Sequence, residues 1–172
     1  SGTGAMNNYT TSSTAPWFPE RLNIWSVVVE SGVTAIGNCA FYYCVNLESV
    51  TIADTVQRIG WSAFQQCSGL NSVSIPQGVT NLSDSLFYGC SSLNRVELPE
   101  SLKSLSYSAF YGCTSLAAID IPAGVTEIWN NCFSGCTALT SVVLPEGIQY
   151  IRDSLFDGCT ALESVSIPQT VT

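Results

Sequence analysis

The stretch Leu116-Ala117-Ala118-Ile119-Asp120-Ile121-Pro122-Ala123-Gly124-Val125-Thr126-Glu127-Ile128, with Ala109-Phe110-Tyr111-Gly112-Cys113 before it, decides the fold because its pattern returns every 23 residues. Phe stands at 41, 64, 87, 110, 133 and 156, and Cys follows three residues later each time, at 44, 67, 90, 113, 136 and 159. Leu47, Leu70, Leu93, Leu116, Leu139 and Leu162 keep the same step, as do Val50, Val73, Val96, Ile119, Val142 and Val165. A column Ile36, Ile59, Leu82, Leu105, Ile128 and Ile151 completes the apolar set. A fixed period of this size signals stacked supersecondary units, none of which can bury its apolar face alone.

One period reads as one coil of a solenoid. L-x-x-V-x-I is a short strand with V and I inward, since alternate side chains share a face. Pro76, Pro99, Pro122, Pro145 and Pro168 end that strand, having no N–H for a ladder bond. The following P-x-G turns the chain, with glycine expected to supply a permissive backbone. V-T-x-I is short and β-branched and predicts a second strand. A-F-x-G-C then predicts a tight helical turn, with Phe and Cys inward and Gly closing it. Stacking at about 4.8 Å would give a continuous core and two parallel sheets, with no long helix. Coils start at 24, 47, 70, 93, 116 and 139, with a partial one from 162. Residues 1–23 do not fit the repeat and read as an N-terminal cap whose Pro16-Trp17-Phe18-Pro19 aromatics cover the end of the core. At Thr172 the chain breaks off in phase, which reads as a fragment of a longer array with an edge prone to weak self-association.

The columns resemble leucine-rich repeats of the BspA-like type, a 23-residue class common on bacterial surfaces. Ile121–Ile128 and Ala109–Cys113 carry the likeness, and the match spans residues 24–172. Ser1-Gly2-Thr3-Gly4-Ala5-Met6 and Ala15-Pro16-Trp17 resemble the leader before such repeats in surface proteins of anaerobic gut bacteria. The resemblance implies a leucine-rich repeat solenoid and a secreted or wall-attached protein that binds host proteins or other cells. It supplies no catalytic residues. Gly, Ser or Thr stands where the broader leucine-rich repeat places Asn or Cys after the strand, so the usual Asn ladder is missing.

Composition narrows the function. The 172 residues allow one domain, and 46% hydrophobic content suffices for a core. Charged residues make up only 10%, against about 25% in an average domain, so Ser, Thr, Asn, Gln and Gly must cover the surface. Five Lys and Arg against 13 Asp and Glu give a net charge of −8. Such a surface repels phosphate backbones and anionic headgroups, so nucleic acid and membranes are poor partners. Without histidine, His-based triads and the commonest zinc ligand are excluded. No basic segment followed by an apolar run opens the sequence, so a secreted protein would have lost its signal peptide from this stretch.

Six of the eight cysteines occupy one inward column and read as small buried hydrophobes rather than disulfide partners. Cys39 and Cys132 lie outside it, and without histidine they make a poor metal site. No cofactor is expected.

Two outward columns flank the first strand, on the face by which solenoids usually bind. One runs Ser49, Ser72, Arg95, Ala118, Ser141, Ser164; the other Thr51, Ser74, Glu97, Asp120, Val143, Ser166. Arg95, Glu97 and Asp120 form their charged middle patch, and with Val143 they are the candidate binding residues. Glu97 and Asp120 would suit glycoside hydrolysis only in a cleft that raises one pKa, which a Ser-rich sheet does not predict, so no catalytic residue is assigned. Trp61, Tyr107 and Trp129 replace small or polar residues in outward columns and are the second candidate group, since exposed aromatics suit proteins or sugars. The leading reading is a non-enzymatic adhesion module binding a host extracellular or other cell-surface protein. Alternatives are a structural spacer or a carbohydrate-binding module that uses the exposed aromatics.

Overall fold

The computed structural model describes residues 3–11 and 13–172; Ser1 and Gly2 of the leader-like segment lie outside the described residues. The chain forms β1 (Gly4–Ala5), a 3-10 helix (Phe18–Asn23), β2 (Ser26–Val29), β3 (Val33–Ile36), β4 (Ser49–Ile52), β5 (Arg58–Ile59), β6 (Ser72–Ser74), β7 (Asn81–Leu82), β8 (Arg95–Glu97), β9 (Ser104–Leu105), β10 (Glu127–Ile128), β11 (Ser141–Val143) and β12 (Ser164–Ser166). All pairing is parallel, and between coils it is in register with the repeat: Val27 faces Val50, Val73 faces Val96 and Val142 faces Val165. This is the leucine-rich repeat solenoid expected, with one six-residue 3-10 helix as its only helix among the described residues.

The two ladders are not continuous, contrary to the sequence expectation. The first divides into β2-β4-β6-β8 and β11-β12. No strand forms at Ala118–Asp120, although Ala117-Ala118-Ile119-Asp120-Ile121 fits the repeat. The second ladder divides into β1-β3-β5 and β7-β9-β10, and no strand forms at Tyr150–Ile151. The Phe-Cys turn stays bonded from coil to coil across these breaks. There Phe64 N–H donates to Leu86 C=O, Phe87 to Ala109, Phe110 to Cys132 and Phe133 to Leu155.

The core is a column of rings. Phe64, Phe87, Phe110 and Phe133 are fully buried, and Phe41 to Phe156 stack with centroids 5.4–5.8 Å apart and interplanar angles of 4–17°. Two apolar column members do not follow: Ile151 is 42% exposed and Ile167 53%. Ile151 lies where the second ladder has opened, and Ile167 belongs to the last coil, with no further coil described against it.

Two turn positions per coil are left-handed. One is the expected glycine, Gly89, Gly112, Gly135 and Gly158, at φ 70–73°. The other was not foreseen: Ser62, Ser85, Ser108 and Ser154 sit at φ 53–54°. Glycine after Pro works differently from the expectation. Gly78, Gly124 and Gly147 do not use positive φ; instead a Cβ there would come within 3.0 Å of the coil beneath. Where this column carries a side chain it is a hydroxyl that bonds that same coil. Ser101 Oγ donates to Gln77 and Val79 carbonyls, and Thr170 Oγ1 to those of Glu146 and Ile148.

Residues 3–11 and 13–23 lie on the first coil. β1 adds to the second ladder beside β3, Trp17 stacks on Phe41 at 5.8 Å, and its indole N–H donates to Ala40 C=O at 2.7 Å.

Candidate functional site

Every residue of the two outward columns from Ser49 to Ser166 is exposed, as alternation requires. Arg95 and Glu97 both point outward from β8, two residues apart on one strand. Their ion pair, Arg95 Nη2 to Glu97 Oε1, measures 2.7 Å with side chains 72% and 53% exposed. In solvent such a pair adds little stability and fixes two charged groups in one orientation.

Asp120 belongs to the next coil, across the break. No main-chain bond joins Ala118–Ile121 to either neighbouring strand among the described residues. At the break lies a cavity of about 760 Å³, lined by Arg95, Glu97 and Glu100 from one coil and Ala118, Asp120 and Ala123 from the next. The structure thus gathers Arg95, Glu97 and Asp120 around one opening. Val143 stands apart on β11 and is 69% exposed.

Of the three aromatic candidates the structure brings two together. Tyr107 and Trp129 contact with centroids 5.0 Å apart, and Trp61 makes no ring contact with either among the described residues. The Arg152 guanidinium lies 4.8 Å from the Trp129 ring and 5.6 Å from that of Tyr150. Arg152 and Tyr150 were not singled out from the sequence. The signal for Tyr150 was there, since its column otherwise holds Ala35, Arg58, Asn81, Ser104 and Glu127. Trp25, 56% exposed in a column of Glu48, Asn71, Asn94, Ala117, Thr140 and Glu163, carries the same signal.

The cysteines are all free thiols, seven of them buried and Cys159 half-buried. Five donate their S–H to the carbonyl of the Phe one coil back: Cys67 to Phe41, Cys90 to Phe64, Cys113 to Phe87, Cys136 to Phe110 and Cys159 to Phe133, at 3.1–3.2 Å. The inward column is therefore a hydrogen-bonded ladder as well as a packing column. Burial pushes Cys44 up to about 11 and Cys90 and Cys136 up to about 12, which suppresses the reactive thiolate. Among the described residues no group of three or more His, Cys, Asp or Glu is placed to hold a metal ion. No helix among them is long and apolar enough to cross a membrane.

A parallel solenoid of 23-residue coils, with an inward Leu-Val-Ile face and an outward polar one, is a leucine-rich repeat architecture. The chain belongs to the BspA-type leucine-rich repeat family: the sequence model of the BspA type leucine rich repeat region (6 copies) matches residues 14–91 and 62–172. Among solved structures, the leucine-rich repeat protein of T. pallidum is 30% identical with a TM-score of 0.84, over 96% of this chain and 76% of that one. A leucine-rich repeat protein from Bacteroides ovatus is 27% identical with a TM-score of 0.63, over 86% of this chain and 44% of that one. A leucine rich cell surface protein from Faecalibacterium prausnitzii is 24% identical with a TM-score of 0.53, over 82% and 59%. No curated protein matches the sequence.

Proposed function

We infer that this chain is a non-enzymatic protein-binding module of an extracellular or cell-surface bacterial protein. It would engage a host extracellular or cell-surface protein through the outward face of the first ladder, and adhesion is the role that follows. The observation that carries this reading is the opening at Ala118–Asp120, where Arg95, Glu97 and Asp120 line one cavity of about 760 Å³. A spacer has no use for a break in its own ladder, and the coils of β4, β6 and β12 present only Ser and Thr at these outward positions. The cell-surface neighbour from Faecalibacterium prausnitzii shares the fold and is consistent with display outside the cell.

The test is binding of the purified chain to immobilised extracellular-matrix proteins, compared with an Arg95→Ala/Asp120→Ala double variant and with Val143→Glu. The double variant should lose at least tenfold in affinity with an unchanged melting temperature. Equal binding by all three proteins would overturn the assignment of this face.

A further inference from the structure

We propose that the cleft between β10 and residues 149–152 is a binding site for a neutral saccharide, separate from the face assigned to protein binding. The second ladder bonds coil to coil except at two places, between β5 and β7 and at residues 149–152. Gln57, Lys103 and Thr126 donate N–H to the carbonyl one coil back, at Thr34, Thr80 and Lys103. Gly60, Ser106 and Trp129 do the same to Ile36, Leu82 and Leu105. Gln149 and Arg152 are next in these two series, and among the described residues neither makes the bond to Thr126 or Ile128. The same N–H bonds are missing at Thr80 and Ser83, but there Ser83 Oγ donates to Ile59 C=O; among the described residues no side chain takes the place of the bonds missing at Gln149 and Arg152, which line a cavity of about 290 Å³. That volume lies at the small end of ligand clefts, about 300–1,000 Å³, the scale of a short saccharide rather than of a protein element. Gly147 keeps the floor open, since a Cβ there would meet the Thr126 methyl at 3.0 Å.

The walls fix the chemistry. Arg152 only donates hydrogen bonds, Glu127 only accepts, and Thr126 and Gln149 do both. None of these four side chains has an ion pair or hydrogen-bond partner among the described residues. Arg152 is nevertheless held in place, because its guanidinium rests on the Trp129 and Tyr150 rings at cation–π distance. Tyr150 is 56% exposed at the cleft and offers an aromatic platform beside the polar groups.

Three ligand classes can be weighed against this wall. A cation is repelled by the Arg152 guanidinium, which lies 4.8 Å from the Trp129 ring and 5.6 Å from that of Tyr150. An anion meets Glu127 in the wall and a chain of net charge −8. Vicinal hydroxyls donate and accept at once, need both kinds of partner side by side, and come with C–H faces that stack on an exposed ring. A neutral sugar satisfies all three conditions.

The test is affinity electrophoresis of the 172-residue chain through gels containing neutral polysaccharides (glucan, mannan, galactan, xylan) or acidic ones (polygalacturonate, hyaluronan), beside Tyr150→Ala and Glu127→Gln. Both substitutions lie on exposed side chains, and a melting curve of each variant checks that it is folded. The chain should be retarded by at least one neutral polysaccharide, with a dissociation constant at least tenfold weaker in each variant at unchanged melting temperature. No retardation in any neutral gel, retardation only in acidic gels, or retardation that survives both substitutions would overturn the proposal. Arg95→Ala/Asp120→Ala should leave sugar binding intact, which separates failure of this site from failure of the protein-binding face.

Discussion

Replacing Phe110 by alanine tests the whole packing argument. Phe110 is fully buried between Phe87 and Phe133, with centroids 5.6 Å away on both sides and interplanar angles of 17° and 4°. Its main-chain carbonyl accepts from Cys113 N–H and from the Cys136 thiol, and neither bond involves the ring. The substitution therefore removes the ring alone. Core Phe→Ala changes cost about 3–5 kcal/mol. Two stacked neighbours, each worth about 0.5–1.5 kcal/mol beyond area burial, put this site near the top of that range, about 5 kcal/mol. In a chain of this size each kcal/mol moves the melting temperature by about 2–4 °C, so a drop of roughly 10–20 °C is expected. The comparison is Phe156→Ala. That ring is half-buried and stacks on Phe133 alone, at 5.8 Å, so it should cost about 2 kcal/mol. Urea melts followed by circular dichroism give both numbers. Because coils touch only their neighbours, Phe110→Ala should also broaden the transition by weakening the two central interfaces. Equal costs at the two positions, or less than about 2 kcal/mol at Phe110, would refute the stacked-ring account.

Alkali should destabilise the fold through the thiols. Burial raises Cys44 to about 11 and Cys90 and Cys136 to about 12 from an ordinary value near 9, so the unfolded chain releases these protons first. Their stabilising contribution is complete below pH 9 and is lost as pH rises toward 12; urea midpoints between pH 8 and pH 11 should fall steadily. Thiol titration of the native chain at pH 8 should find few reactive groups, and titration in denaturant all eight cysteines. Gly112→Ala should cost about 1–2 kcal/mol, because that residue sits at φ +70° where a Cβ is disfavoured. Arg95→Ala should change stability by no more than about 0.5 kcal/mol, since its ion pair with Glu97 is exposed.

The register, the two strands per coil and the inward Phe and Cys were legible because they depend on residue type repeated at a fixed step. The breaks were not. Ala117–Ile121 matches the consensus as well as the paired coils do, so residue type in the columns does not distinguish a coil that pairs from one that does not. The left-handed serines escaped for a similar reason. Ser is not read as a positive-φ residue, yet Ser62, Ser85, Ser108 and Ser154 adopt that conformation where the Phe-Cys turn begins. The glycine after Pro was read as a conformational need, whereas its alternation with Thr55, Ser101 and Thr170 points to a place where only hydrogen or a bonding hydroxyl fits. At the candidate sites Arg95, Glu97 and Asp120 were visible as charges in a Ser-rich column. Tyr150 was visible only on asking which column an aromatic should not occupy, and the role of Arg152 depends on ring contacts that sequence does not encode.

The thiol ladder has a consequence for how such an array changes length. A disulfide joins two cysteines, so a scaffold stapled by disulfides can gain or lose a unit only if its pairing stays complete. Here five of the six column cysteines are satisfied by a backbone carbonyl of the coil before, a group that every coil supplies whatever its side chains. Inserting or deleting 23 residues therefore leaves no thiol without an acceptor, and odd and even numbers of coils are equally sound. Because no bond in the ladder is oxidised, an array of any length needs no oxidant to form it.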